Sequence, residues 1–169
     1  MWVFVHIPKT GGISISNAIA RAIPGTVRLH VQKQFDEFAR MSAHSAADIP
    51  VLCGHIPMGI EGWIRSDPNS KQFKTPHYVT MIRDPVERLL SWYKFRDHYS
   101  QPEPFTGTYR RTFSDWALSD DYEADNILTR FFLPYGYPVK SAHWPGSFPV
   151  GKLTNALVEY AWKQISRLD

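Results

Sequence analysis

The chain has 169 residues, 43% hydrophobic, 21% charged and 14% aromatic, which excludes a disordered polymer and suits one domain with a sizeable core. A formal net charge of +3 and a pI near 9.0 suit a phosphate-bearing or polyanionic ligand. Lys and Arg are scattered with no run of five, so the charge does not point to nucleic acid.

The first element in chain order is "WVFVH", whose β-branched and aromatic residues predict a short buried strand. "GISISNAIARAI" follows with Ile15, Ile19 and Ile23 at helical spacing, and Pro24-Gly25 stops it. "TVRLHV" reads as a second strand, "QKQFDEFARM" as a helix and "IPVLCGH" as a third strand ending at glycine. "HYVTMIRD" reads as a fourth strand, and "PVERLLSWYKFRDHY" as a helix capped by Asp84 with Pro85 in its first turn. "SQPEPFTGTYRR" is loop-like, "TFSDWALS" and "YEADNILTRFF" are helical, "LPYGYPVKSAHWPGSFPVG" is a long loop, and "KLTNALVEYAWKQISRL" closes the chain as a helix. Strands alternating with helices predict an α/β domain with a central parallel sheet flanked by helices in three layers. Ligands of such sheets bind beyond the carboxyl ends of the strands, so the residues after "VFVH", "VLC" and "VTMI" are expected to share one cleft.

The opening "MWVFVHIPK" has no basic n-region, and its apolar stretch is too short for a signal peptide or a membrane span, so a cytoplasmic location is expected. The single cysteine, Cys53, allows no intrachain disulfide, and the lack of a Cys-x-x-Cys pair argues against structural zinc.

The string "HIPKTGGISIS" carries more than a strand-to-helix turn needs. Its glycines let the backbone close on an anion, the helix start offers amide donors, and Lys9 adds charge. Lys9 precedes the glycines, unlike the lysine of a Walker A loop. Further along, Arg83 stands at a strand end with Ser91 two helical turns later, a guanidinium and a hydroxyl suited to a second phosphate. Arg88, three residues before Ser91, lies on the same helix side and is expected to pair with a carboxylate such as Asp84 rather than touch ligand, while Trp92 and Tyr93 read equally as core aromatics and as ligand contacts.

Together, "FVHIPKTGGISI" resembles the 5′-phosphosulfate loop of sulfotransferases, and "MIRDPVERLLSWY" resembles their 3′-phosphate motif. The similarity extends from about Trp2 to Phe132 and is greatest to the carbohydrate branch that includes the heparan sulfate 2-O- and 6-O-sulfotransferases; "ADNILTRFF" looks like a helical segment of that branch. The resemblance implies a P-loop-like fold and the sulfuryl donor 3′-phosphoadenosine 5′-phosphosulfate (PAPS), with no metal. Lys9, Thr10, Gly11, Gly12 and Ser14 would hold the 5′-phosphosulfate, and Arg83 and Ser91 the 3′-phosphate. His55 would be the base that takes the acceptor's hydroxyl proton, and Lys9 would neutralise the leaving phosphate. His6 is expected to orient the loop by a hydrogen bond, with a catalytic role as the alternative. His30, His44, His77, His98 and His143 show no ligand-like spacing and are expected to be structural or at the surface.

The implied acceptor is a hydroxyl-bearing small molecule or glycan. Arg110, Arg111 and Lys140 lie in loops that would meet it, and Asn126, Thr129 and Arg130 match the family's helical segment. The chain departs from the pattern at Ile13, where a hydroxyl residue usually follows the double glycine. It also ends at Asp169, where relatives continue into another strand and a basic loop; residues 1–169 are expected to form a single sulfotransferase-like domain that is either a fragment truncated at its C-terminus or a naturally short chain with an incomplete cofactor site. Two other readings stay open. A P-loop nucleotide or small-molecule kinase would use Asp84 to hold magnesium, and a non-catalytic nucleotide-binding module would keep the fold without turnover.

Overall fold

The computed structural model describes residues 1–30, 34, 37–38, 41, 48–56, 58–59, 76–99, 112–118, 129, 131–132 and 155–165, except the side chains of 96–99, 157 and 164. Strands β1 (Trp2–Val5), β2 (Val27–Leu29), β3 (Val51–Gly54) and β4 (His77–Thr80) form one parallel sheet in the order β2-β3-β1-β4. The helices are α1 (Gly12–Ala22), α2 (Pro85–Tyr99), α3 (Phe113–Ala117) and α4 (Asn155–Ile165). The architecture is mixed α/β with a central parallel sheet flanked by helices, as the alternation of elements predicts.

Burial on both faces explains the near-continuous apolar strands at the centre of the sheet. Val3, Val5, Leu29 and Leu52 point into a core completed by Ile7, Ile56, Phe131, Phe132 and Ala161. Each of these Val, Leu, Ile and Phe side chains, fully removed from water, contributes about 1.5–3 kcal/mol. Leu52 alternates with Cys53, which is fully buried on the opposite face of β3. Arg28 of β2 donates to Asn17 Oδ1 of α1 at 3.0 Å, a tie between sheet and helix.

β4 is shorter than "HYVTMIRD" suggests. Its partner β1 ends at Val5, paired with Thr80, and beyond that point residues 81–84 pair with no strand among the described residues. Among the described strands β4 also lies at the sheet's edge, and Val79 is 45% exposed. Asp84 caps α2 as expected, with Oδ1 accepting the Glu87 amide at 2.9 Å. α3 is capped by Thr112, whose hydroxyl oxygen accepts from the Asp115 amide. Tyr93 packs against Phe113 and Trp116 at ring-centroid distances of 5.5 and 5.8 Å, so its role is the aromatic junction of α2 with α3.

Gln34, Glu37 and Phe38 are helical within the predicted helix 32–41, as are Thr129 and Phe131 within 122–132. The predicted loops 100–111 and 133–151 fall outside the described residues, together with Arg110, Arg111, Asn126, Arg130, Lys140, His44 and His143 and the side chain of His98. Among the described residues no helix is long and apolar enough to cross a membrane.

Candidate functional site

Sheet register builds the site. Val5 of β1 and Leu29 of β2 both pair with Gly54 of β3, and the next residue of each strand is a histidine: His6, His30 and His55. The strand ends are laced together where the ladder stops. The His6 amide donates to the Gly54 carbonyl at 2.7 Å, and the His55 amide donates to the Leu29 carbonyl at 2.9 Å. A side chain at position 54 would place its Cβ 2.1 Å from the Leu29 carbonyl oxygen, so only glycine permits this approach. The three imidazoles consequently touch, with ring centroids 4.5 Å apart for His6–His55, 5.1 Å for His30–His55 and 5.2 Å for His6–His30.

Each ring has a fixed setting. His55 Nδ1 lies 2.8 Å from the His6 carbonyl oxygen. A carbonyl only accepts, so Nδ1 carries the proton and Nε2 carries the lone pair. His6 Nδ1 faces His30 Nδ1 at 3.4 Å, while its Cδ2 edge lies against the backbone of Gly12. The His30 amide donates to Gln34 Oε1 at 2.7 Å.

Beside this row runs the loop from Ile7 to Gly11. Lys9 and Gly11 both have left-handed backbones, with φ of 68° and 88°, and Gly11 is the N-cap of α1 without any side-chain hydrogen bond to the helix start. Alternating backbone hands of this kind turn successive amides toward one concavity, and an uncapped helix start adds its own donors. Thr10 is buried, and its hydroxyl donates to the Ile7 carbonyl at 2.8 Å, inside the turn. In this setting residue 10 offers an anion its main chain rather than its hydroxyl proton. Ser14 is exposed in the first turn of α1, and Ile13 stands 66% exposed beside it.

The neighbouring strand end supplies the second cation. Thr80 Oγ1 donates to the Val5 carbonyl at 2.8 Å, and the chain beyond it brings Arg83 Nη1 to 3.5 Å from the Lys9 carbonyl oxygen. Arg83 also pairs with Glu87 at 3.2 Å, an exposed ion pair across one turn of α2. The Lys9 ammonium sits 4.2 Å from the ring centroid of Phe95, on α2. Ser91 is half-buried on the same helix, and Arg88 is almost wholly buried, with the guanidinium pKa pulled down to about 10 by loss of solvent. The Arg88 amide donates to the Asp84 carbonyl at 2.9 Å.

Burial dominates the electrostatics. It pushes His6 down to about 3, helped by His55 and then His30, and it pushes His55 down to about 4 against the stabilising hydrogen bond to the His6 carbonyl. His30 is also lowered, first by burial and then by the Arg28 charge. All three rings are therefore neutral at pH 7, and His55 is a weaker base than an ordinary imidazole with pKa near 6.5. Lys9 is lowered by burial and then by Arg83, two cations facing one space.

The structure thus brings together Lys9, Thr10, Gly11, Gly12, Arg83 and His55 beyond the carboxyl ends of the strands, with Ser14 and Ser91 on the two helices that leave them. Sequence reasoning missed His30, because no spacing along the chain joins positions 6, 30 and 55. The signal was a histidine at or next to the carboxyl end of each of three predicted strands. The chain matches no known protein-family model, and no characterised protein or solved structure is significantly similar to it.

Proposed function

We propose that the protein is a sulfotransferase of P-loop-like architecture that moves a sulfuryl group from PAPS to a hydroxyl acceptor, with a carbohydrate as the acceptor class. The observation that carries this reading is the approach of Arg83 to the Lys9 loop at the uncapped start of α1, two cations and a set of amides facing one place. The motif resemblance supplies the choice of PAPS among phosphate-bearing ligands.

In the proposed reaction the acceptor oxygen attacks sulfur in line with the bond to the 5′-phosphate. As the new S–O bond forms, the old one breaks, and its electron pair leaves on the phosphate of 3′-phosphoadenosine 5′-phosphate. The acceptor's proton goes to His55 Nε2, the nitrogen left with the lone pair by the Nδ1 contact to the His6 carbonyl. Lys9 neutralises the departing phosphate after leaving the Phe95 ring, an exchange that costs little because an exposed cation–π contact is worth about 0.5–1 kcal/mol. The low basicity of His55 suits the sequence of events. A bound phosphosulfate is an anion beside the ring, and its charge raises the imidazole's pKa toward neutrality only when the donor is in place.

The kinase alternative needs the Asp84 carboxylate for magnesium, whereas Asp84 Oδ1 is engaged with the Glu87 amide as a helix cap. Calorimetric titration with 3′-phosphoadenosine 5′-phosphate, set against ATP plus magnesium, tests the proposal. Binding of the first at micromolar strength without the second is the expected result. Binding of neither defeats the PAPS reading, and binding without transfer to any hydroxyl acceptor favours the non-catalytic module.

A further inference from the structure

We propose that His6, His30 and His55 form a binding site for one divalent transition-metal ion of the zinc class. One nitrogen from each ring lies within 4.8 Å of the other two, and among the described residues this is the group arranged in that way. The ligand set is specific in its chemistry. Three neutral imidazoles suit zinc, copper, nickel or cobalt and offer nothing to magnesium or calcium, which take oxygen ligands.

One of the three spacings is that of a coordination shell, and all three lie within 4.8 Å. A tetrahedral ion with metal–nitrogen bonds of about 2.0–2.1 Å separates its ligand nitrogens by about 3.3–3.4 Å. The His6 Nδ1–His30 Nδ1 separation is already 3.4 Å. That distance is long for an N–H···N hydrogen bond, so the pair gains little from sharing a proton. His55 completes the set through Nε2, since its Nδ1 proton is given to the His6 carbonyl at 2.8 Å. Metal-binding histidines are commonly oriented by this kind of donation to a main-chain carbonyl. His6 is held from behind by the Gly12 backbone, and the His30 main chain is anchored by Gln34. Three protein ligands leave a fourth position, which a water or an anionic oxygen would fill.

The metal site does not depend on the sulfotransferase reading. If both hold, they exclude one another at His55, because Nε2 cannot ligate a cation and accept a proton together; metal occupancy would then silence transfer.

The test uses the tag-free, chelator-treated full chain. Cobalt(II) uptake is followed by its visible absorption, and zinc affinity by competition with a chromophoric chelator. One equivalent should bind with the intense absorption of a low-coordinate cobalt ion, and zinc should shift the ring resonances of His6, His30 and His55 in the NMR spectrum. His30→Ala, checked for folding by circular dichroism, should weaken zinc by at least about tenfold, the loss seen even for groups that only support a metal ligand. Should that variant not fold, the wild-type ring resonances decide alone. No uptake, or uptake that moves other histidines or survives His30→Ala unchanged, overturns the proposal, and none of these readouts depends on PAPS or on an acceptor.

Discussion

At the scale of single residues, Gly12 and His6 show how tightly the site is packed. A Cβ at position 12 would lie 2.0 Å from His6 Cδ2. Alanine in place of glycine ordinarily gains about 1 kcal/mol inside a helix. Here the buried ring must move, and overpacking of that kind costs about 1–3 kcal/mol. Gly12→Ala is therefore expected to lower stability on balance, read as a lower urea midpoint; a higher midpoint would contradict the packing. The left-handed Lys9 and Arg83, which reaches its carbonyl, come from stretches whose composition already makes them candidate anion-binding residues. His30 was not legible in this way, because its neighbours are set by pairing between strands that are distant in the chain. Thr10 was legible as a loop residue but not in its role, since nothing in "KTGG" tells that its hydroxyl turns back to Ile7.

At the scale of elements, α2 presents Glu87 to Arg83 one turn away. The pair is exposed, 41% for Arg83 and 65% for Glu87, and such pairs contribute about 0–1 kcal/mol. A charge-assisted bond from a guanidinium to a phosphate is the stronger partner, so an incoming anion displaces Glu87 at small cost. Glu87→Gln is expected to tighten 3′-phosphoadenosine 5′-phosphate by up to about fivefold, the equivalent of 1 kcal/mol, with stability changed by no more than about 0.5 kcal/mol. Calorimetry measures the first and urea unfolding the second; weaker binding would show that Glu87 positions Arg83 instead of competing for it. Most of the described strands and helices follow from local pattern, β1 and α1 within a residue or two. The end of β4 does not, because it is set where β1 stops offering a partner.

At the scale of the whole molecule, the histidine row links folding to acidity. The folded values of about 3 for His6 and about 4 for His55 lie below the unfolded value near 6.5. The unfolded chain therefore binds more protons as pH falls through that interval, and the stability held by the neutral rings is full above pH 6.5 and drains below it. Each group contributes a slope of up to about 1.4 kcal/mol per pH unit. In metal-free protein the urea midpoint should fall between pH 7 and pH 5, before the ordinary carboxylates titrate; a flat profile there would show that the rings are not held neutral by burial. Lys9 sets a different kind of balance. With φ at 68°, it occupies a conformation that costs a non-glycine residue roughly 1–2 kcal/mol. Lys9→Ala removes the ammonium and keeps that cost, whereas Lys9→Gly removes both. The glycine variant is expected to be the more stable of the two by about 1 kcal/mol in thermal unfolding, and both should lose the ammonium's contribution to anion binding. A lysine at this position is thus a trade of robustness for charge, and a search that selected only for heat resistance would discard it.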